Sequence, residues 1–147
     1  MVNNSDFIKL NCQVCFPIYA ASNLLTRIYR PVLAELDLTY PQYLVMMVLW
    51  EASPQSVGAL GSQLHLDSNT LTPMLKRMEI KGLLERKRDA ADERRVLITL
   101  SDAGKELQEA ASKVPIALAR NLHLSRAELE TLRGSVQKLV DSLAPNE

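Results

Sequence analysis

The sequence predicts a mainly α-helical fold that contains a single β-hairpin. Apolar residues recur every three or four positions in several segments, as between Leu24 and Leu36, and this spacing is typical of amphipathic helices. Residues 94–100 instead alternate apolar and polar side chains, as a half-buried strand does. The chain has 147 residues, 47% of them hydrophobic, with 5 Gly and 7 Pro, which fits one globular domain and excludes a disordered or fibrous chain.

The first part of the chain is predicted to form three helices. A long helix is expected over residues 17–36, and Pro41 is well placed to open the next one because its missing N–H has no helical partner in a first turn. This second helix contains residues 43–50, which are apolar on every side and therefore predict a central buried helix. Ser56 is a suitable N-cap for a short third helix that ends at Leu64.

A tight turn at residues 65–67 is predicted to lead into a fourth helix and a hairpin. Asp67 is a good N-cap, the helix is expected over residues 68–81, and Gly82 ends it because glycine tolerates left-handed dihedrals. Residues 83–88 and 94–100 then form two short extended segments around a polar turn.

The last part of the chain is predicted to be helical again. Ser101 is expected to cap a helix that carries Pro115 inside it, with a kink at the proline. Ser125 and Glu128 form a capping box that opens the final helix, over residues 127–143. The order of elements predicts a mainly α winged helix-turn-helix with a two-stranded wing, flanked by N- and C-terminal helices.

We expect one domain over residues 1–147 that consists of two parts. Residues 41–100 are predicted to form the winged helix-turn-helix lobe that binds DNA, and residues 6–40 and 102–143 a helical dimerisation region. The apolar faces of the outer helices have little else to bury against, so a second copy of the chain is the expected partner in a homodimer.

Three features of the sequence bear on its location. The longest apolar run, residues 43–50, is far shorter than the roughly 20 residues of a membrane span. The first ten residues lack the basic and apolar regions of a secretion signal. Two cysteines can form at most one disulfide bond, which is too few to stabilise a chain of this length, so a reducing compartment is favoured. We therefore expect a cytoplasmic protein with no membrane partner.

The zero net charge conceals a basic segment. Between Lys76 and Arg95, eight basic and five acidic residues give 8 − 5 = +3, so the rest of the chain sums to −3. Most charge clusters are solvated surface with no further role. Here the excess falls on the fourth helix and the hairpin, the elements with which a winged helix-turn-helix binds double-stranded DNA.

The fourth helix offers a candidate set of DNA-reading residues. On a helical wheel, Leu71, Leu75 and Met78 share the core face, and the opposite face is polar. Short hydrogen-bonding side chains and a proline in the first turns suit base edges, and the basic residues one turn later suit phosphates. A structural alternative is that the first three polar residues only cap and solvate the helix start. The candidates are Ser68, Asn69, Thr70, Thr72, Pro73, Lys76 and Arg77.

The hairpin adds further candidate DNA contacts. Arginines at its tip suit a narrow minor groove, where the negative potential is enhanced. Asp92 and Arg94 are expected to lie on one side of the turn and to pair, which would hold the wing in shape. The alternative is ordinary surface ion pairing, which contributes only about 0–1 kcal/mol. The wing candidates are Arg86, Asp92, Arg94 and Arg95.

Cys12 and Cys15 form a C-x-x-C pair whose usual functions do not fit. The only histidines, His65 and His123, are far away in sequence, so a zinc site is not expected, nor is any cofactor. A thioredoxin-like dithiol would need a preceding strand, which is absent from the predicted order. Inert packing is the commonest fate of a cysteine in an apolar stretch. Cys15, however, is expected at or just before the start of the long helix, whose partial positive charge favours a reactive thiolate, with Phe16 and Tyr19 as an apolar pocket.

Several contiguous motifs resemble a known family. DERRVLITLS (residues 92–101) and LDSNTLTPMLKRME (66–79) resemble the wing and the recognition helix of the MarR family of dimeric winged-helix regulators, which bind near-palindromic operators. VCFPIY (14–19), IYRP (28–31) and LTYPQYLVM (38–46) resemble its organic hydroperoxide branch. The resemblance covers nearly the whole chain and implies a transcriptional repressor, not an enzyme, that is released when Cys15 is oxidised by an organic hydroperoxide.

The resemblance also implies that the hydroxyls of Tyr29 and Tyr40 hydrogen-bond the reactive Cys15. Cys15 and Tyr29 are fourteen residues apart, about 21 Å along one helix, so the contact requires the tyrosine of a partner chain. Some members of the branch resolve the oxidised sulfur with a second cysteine near the C-terminal helices, but nothing after Cys15 is cysteine here. A small-molecule thiol is the expected resolving group, and Cys12 is the alternative.

Two other functions remain open on the sequence alone. One is a MarR-type repressor that is relieved by a non-covalent phenolic ligand, with Cys15 incidental. The other is a thiol peroxidase, which is disfavoured because the arginine or threonine expected beside a peroxidatic cysteine is absent.

Overall fold

We describe residues 4–144 from a computed structural model of the chain. Two short 3₁₀ turns, Asn4–Ile8 and Leu10–Cys12, precede seven α-helices and three short strands. Among these residues, no helix is both long and apolar enough to cross a bilayer. In chain order the elements are α1 (Cys15–Ala34), α2 (Tyr40–Glu51), β1 (Gln55–Ser56), α3 (Val57–Leu64), α4 (Ser68–Ile80), β2 (Leu84–Arg88), β3 (Val96–Leu100), α5 (Asp102–Ala111), α6 (Val114–Ala119) and α7 (Arg126–Leu143).

The first two helices form the layer that supports the rest of the fold. Helix α1 begins at Cys15, two residues earlier than predicted, and ends at Ala34. Helix α2 begins with a capping box in which the backbone N–H of Gln42 donates to Thr39 and the side chain of Gln42 accepts from the Thr39 N–H. Its residues Val45, Met46 and Leu49 are almost fully buried, which confirms the predicted central helix.

Helices α3 and α4 form the predicted helix-turn-helix. Ser56 caps α3 by accepting a hydrogen bond from the Ala59 N–H, and Asp67 caps α4 by accepting one from the Thr70 N–H at 2.8 Å. Between the helices His65 takes a left-handed conformation, with φ 53°. Gly82 follows α4 with φ 77°, as predicted for a residue that ends a helix.

The sheet has three strands where the sequence predicted two. Strands β2 and β3 form the wing hairpin, in which Arg86 lies opposite Ile98. The two-residue strand β1 pairs with the other edge of β3, with Gln55 opposite Ile98, so the strand order is β1-β3-β2. A strand of two residues is too short to show an alternation of apolar and polar side chains in the sequence. It forms because the chain passes beside the free edge of β3.

The helix predicted after Ser101 is broken rather than kinked. Helix α5 ends at Ala111 and α6 begins at Val114, with Pro115 in the first turn of α6. A proline inside a helix loses a hydrogen bond and its ring clashes with the preceding turn, whereas the first turn of a new helix accommodates it. The capping box at Ser125 and Glu128 opens α7 one residue earlier than predicted.

The hydrophobic core lies mainly within the winged helix-turn-helix. It joins α2 and α4 to the sheet, with Leu60, Leu71 and Ile98 fully buried. Helix α7 contributes no buried residue, and the N-terminal half of α1 contributes none either. These outer helices therefore keep apolar side chains that the single chain does not cover.

Candidate DNA interface and thiol site

Helix α4 presents the polar face that the sequence predicted for DNA recognition. Leu71, Met74, Leu75 and Met78 are buried against the core. The opposite side is open to solvent, except that Thr72 is half-buried. Its exposed candidate residues are Ser68, Asn69, Thr70, Pro73, Lys76 and Arg77.

The tip of the wing is held by hydrogen bonds to two aspartates. The carboxylate of Asp92 accepts from the backbone N–H of Arg94 at 3.1 Å, so the predicted ion pair between the Asp92 and Arg94 side chains is replaced by a bond to the backbone. Asp89 accepts from the Ala91 N–H and lies 3.5 Å from the Arg95 guanidinium. Within residues 4–144, Arg94 makes no side-chain ion pair, and its guanidinium stays exposed.

A groove joins the recognition helix to the wing. Its volume is about 400 Å³, and it brings together Ser68 and Thr72 of α4 with Arg94 and Arg95 of the wing. Sequence reasoning missed the third wall, which is the start of α3 at Ser56, Val57 and Gly58. The N-cap residue Ser56 could have indicated this wall from the sequence, because the free N–H groups at the start of a helix favour anions such as phosphate.

Arg86, a predicted DNA contact, is engaged with Glu79 of α4. The Arg86 Nε lies 3.0 Å from Glu79 Oε2, and the Arg86 backbone N–H donates to Glu79 Oε1 at 2.9 Å. These two hydrogen bonds lower the pKa of the Glu79 carboxyl below its usual value. The bond from the Arg86 backbone N–H has the larger effect, and the bond from its guanidinium the smaller. The sequence showed Glu79 only as one of five acids in a basic segment, and nothing in its spacing marked the contact.

Cys15 is the first residue of α1 and is exposed. Beside it Phe16 is 41% exposed and Tyr19 is 67% exposed, so the predicted apolar pocket is open in a single chain. Cys12 is also exposed, at the end of the second 3₁₀ turn. The arrangement leaves the thiol accessible to a reactant from solution.

Tyr29 and Tyr40 pack against each other, far from Cys15 of the same chain. Their ring centroids are 4.6 Å apart, and Tyr43 lies 6.2 Å from Tyr29. Burial, with a smaller effect from the neighbouring phenols, raises the pKa of Tyr29 to about 12, and burial also raises the pKa of Tyr40. Both hydroxyls therefore remain protonated donors at neutral pH. Cys15 is fourteen residues before Tyr29 on α1, a separation of about 21 Å.

Large apolar side chains remain exposed at both ends of the described chain. Phe7, Ile8 and Val14 are each more than 60% exposed, and Leu132 and Leu143 of α7 are more than half exposed. Exposed apolar patches of this kind mark interaction surfaces.

Comparisons with known proteins agree with this architecture. A family model described as "Transcriptional regulator SarA/Rot" matches residues 27–111. The organic hydroperoxide resistance transcriptional regulator of Bacillus subtilis is 45% identical over 143 residues, which are 97% of each chain. A solved structure of reduced AbfR bound to DNA has a TM-score of 0.83 at 37% identity and covers 96% of each chain; AbfR is a protein of Staphylococcus epidermidis.

A second AbfR structure, described as disulfide-formed, is less similar in shape. Its TM-score is 0.65 at 39% identity, with 92% of this chain and 96% of that chain covered. The fold of the present chain is thus nearer to the reduced, DNA-bound relative. Since the motifs, the winged helix and the relatives over nearly the whole chain all agree, the protein belongs to the MarR-type winged helix-turn-helix family of DNA-binding transcriptional regulators, in its organic hydroperoxide resistance branch.

Proposed function

We propose that the protein is a homodimeric repressor that binds a near-palindromic operator and is released when an organic hydroperoxide oxidises Cys15. The observation that carries the proposal is the separation of the thiol from its tyrosines. Cys15 is open at the start of α1, and Tyr29 of the packed Tyr29–Tyr40 pair lies about 21 Å away along the same helix. The hydroperoxide resistance relative and the reduced and disulfide-formed AbfR structures support redox sensing.

In the proposed complex the first turns of α4 enter the major groove. Ser68, Asn69 and Thr70 are exposed at its N-terminus, where a recognition helix meets base edges. Thr72 and Pro73 come next, and Lys76 and Arg77 bind phosphates from the following turn. The exposed guanidinium of Arg94 enters the flanking minor groove, while Asp92 shapes the wing by binding the Arg94 backbone. The DNA-bound AbfR structure supports this assignment.

The proposed dimer forms through the outer helices. The N-terminal segment and α7 carry the exposed apolar side chains, and α7 has no buried residue in the single chain. A two-fold dimer buries the same patches on both copies. It also brings Tyr29 of one chain toward Cys15 of the other, which completes each sensing site.

The proposed reaction is a two-electron oxidation of the sulfur. The Cys15 thiolate attacks the terminal oxygen of the hydroperoxide, the O–O bond breaks, and the alkoxide takes a proton and leaves as an alcohol. The sulfur becomes a sulfenic acid. In the proposed site the tyrosine hydroxyls of the partner chain donate to the sulfur, while Phe16 and Tyr19 receive the alkyl group of the oxidant.

The sulfenic acid then reacts with a small thiol, giving a mixed disulfide and water. Cys12 is a poor resolving group in this conformation. Gln13 is extended, with φ −88° and ψ 122°, and Val14 is helical. Standard backbone dimensions with these torsions separate the Cα atoms of Cys12 and Cys15 by about 8 Å, beyond the upper limit of roughly 7 Å for a disulfide. Their pairing would require the first turn of α1 to unwind.

The proposal is tested by a gel shift on a duplex that the wild-type protein selects from a random-sequence pool. Cumene hydroperoxide with a small thiol should release wild-type protein and the matched control Cys12→Ser, but not Cys15→Ser. Intact mass should show one added thiol on each released chain. Release of Cys15→Ser by the hydroperoxide would contradict the assignment of Cys15.

A second candidate function is relief by a non-covalent phenolic ligand. A cavity of about 260 Å³ between α2 and α5 favours it, because Tyr43, Met47 and Trp50 line one side. An aromatic acid such as salicylate would then release Cys15→Ser as effectively as the wild type, in the absence of any peroxide. Thiol peroxidase activity has no such support, and the relatives are named as regulators.

A further inference from the structure

The wing is joined to the recognition helix by a very short connection. Helix α4 ends at Ile80 and β2 begins at Leu84, and Gly82 between them has φ 77°. Ser101 fixes the base of the hairpin, since its N–H donates to the Leu83 carbonyl at 3.1 Å and its hydroxyl donates to the Gly82 carbonyl at 2.5 Å. These bonds hold the base of the hairpin, and the pairing of β1 with Ile98 and Leu97 holds the inner part of β3. The outer strand β2 has no such partner on its other edge.

Glu79 supplies a second attachment point, farther along the hairpin. Its two carboxylate oxygens bind the backbone N–H and the side-chain Nε of Arg86, in the middle of β2. Strand β2 is an edge strand, so this N–H has no strand partner on its outer side. Because Glu79 holds both the backbone and the side chain, it fixes the position and the rotation of the strand.

The geometry of the hairpin makes this attachment important at the tip. At about 3.3 Å per residue, the turn after Arg88 lies roughly 17 Å from Leu84. A swing of about 10° at the base would displace the tip by about 3 Å, which is the length of a hydrogen bond. Contact between Arg94 and DNA therefore depends on how firmly the angle is held.

We propose that Glu79 is a positioning residue for DNA binding, which sets the angle of the wing against the recognition helix through Arg86. The inference rests on the proposed DNA-binding function and goes beyond it, because neither residue has to touch DNA. Arg86, predicted from sequence as a DNA contact, acts through the wing. The carboxylate stands in a basic segment where a negative charge by itself opposes binding to a polyanion.

The test compares Glu79→Gln with Glu85→Gln in the full-length reduced protein. Glu85 lies on β2, its side chain is 57% exposed and it pairs with Lys87 at 2.9 Å, so both substitutions remove one negative charge from the same region. Charge alone predicts tighter DNA binding for both variants. The proposed role predicts that Glu79→Gln binds about three- to tenfold more weakly and that the slope of log K against log salt falls by about one. The probe is a labelled duplex selected by the wild-type protein from a random pool.

A double-mutant cycle with Arg94→Ala separates positioning from general stability. If Glu79 acts through the wing, Glu79→Ala weakens binding in the wild type and does not weaken it further once Arg94 is removed. Equal losses in both backgrounds would overturn the inference, as would tighter binding by Glu79→Gln. If the wild-type protein itself bound no duplex, the proposed DNA-binding function would be wrong. If the wild type bound and only the Glu79 results failed, the inference alone would be wrong, so the two failures are distinguishable.

Discussion

The positions of Cys15 and Tyr29 predict that each sensing site takes its two residues from different chains. Both residues lie on α1, fourteen positions apart, which is about 21 Å at 1.5 Å per residue. A hydrogen bond spans at most about 3.5 Å. Tyr29 of the same chain is therefore several times too distant, and removal of its hydroxyl should affect only the cysteine of the neighbour.

Two mixed dimers, purified with different affinity tags, distinguish the two arrangements. The first pairs a Cys15→Ser chain with a Tyr29→Phe chain, so its one remaining Cys15 faces an intact tyrosine of the partner. The second pairs a wild-type chain with a doubly substituted chain, so its one remaining Cys15 faces a partner without the hydroxyl. The two dimers have the same composition and differ only in how the substitutions are distributed.

The expected difference follows from one hydrogen bond to a charged sulfur. Such a bond contributes about 1.5–3 kcal/mol, which is roughly a tenfold to hundredfold change in rate. With limiting cumene hydroperoxide and Cys12→Ser in every chain, oxidation of Cys15 measured by intact mass should proceed at the wild-type rate per Cys15 in the first dimer and ten- to a hundredfold more slowly in the second. The reverse order would show that the tyrosine acts within one chain, and equal rates would remove Tyr29 from the site; either result refutes the reasoning.

Three further predictions concern the wing, the packing of α5 and the half-buried Tyr29. Arg94→Ala should weaken DNA binding and lower its salt slope by about one, and an unchanged slope would exclude the wing from the interface. Gly104→Ala should lower the free energy of unfolding by at least about 2 kcal/mol in urea titrations, because a Cβ would lie 2.1 Å from the Leu83 carbonyl oxygen; Gly134→Ala, with nothing within 4 Å, should raise it by about 0.5–1 kcal/mol. Because the pKa of Tyr29 is raised to about 12 in the folded chain, from 10.0 unfolded, its contribution to stability is complete below about pH 10 and is lost as the pH rises toward 12. Tyr29→Phe should lose less stability than the wild type between about pH 10 and about pH 12, and parallel losses would contradict the shift.

Local signals in the sequence predicted the elements of the fold well. Ser56 and Asp67 accept the hydrogen bonds expected of N-caps, and Gly82 has the positive φ expected after a helix. These features depend on a few neighbouring residues, so the sequence is sufficient to find them. The apolar segment 43–50 was equally informative, because a helix without a polar face has to be buried.

The features that sequence reasoning missed depend on contacts between distant elements. Strand β1 exists because Gln55 and Ser56 pair with Ile98 and Leu97, more than forty residues away. The Glu79–Arg86 contact depends on how the hairpin folds back on α4. The sequence predicted an irregularity at Pro115, and the structure has one there. The sequence could not determine whether the helix bends or ends and begins again, because both arrangements accommodate a proline.

The packing of α2 connects the tyrosines to the base of the wing. Tyr40, its first residue, packs against Tyr29, and Trp50, near its other end, donates its indole N–H to the Gly104 carbonyl of α5 at 2.8 Å. Helix α5 is capped by Ser101, the residue that binds the carbonyls beneath the wing. Helix α2 has a buried core-facing side that includes Tyr43, Val45 and Leu49, so a displacement at Tyr40 would be transmitted by the helix as a body instead of being absorbed locally. In the proposed mechanism, oxidation of Cys15 at an interface between chains would reach the wing along this route. Cys15 would then need no contact with the proposed DNA-reading residues to alter how they are presented.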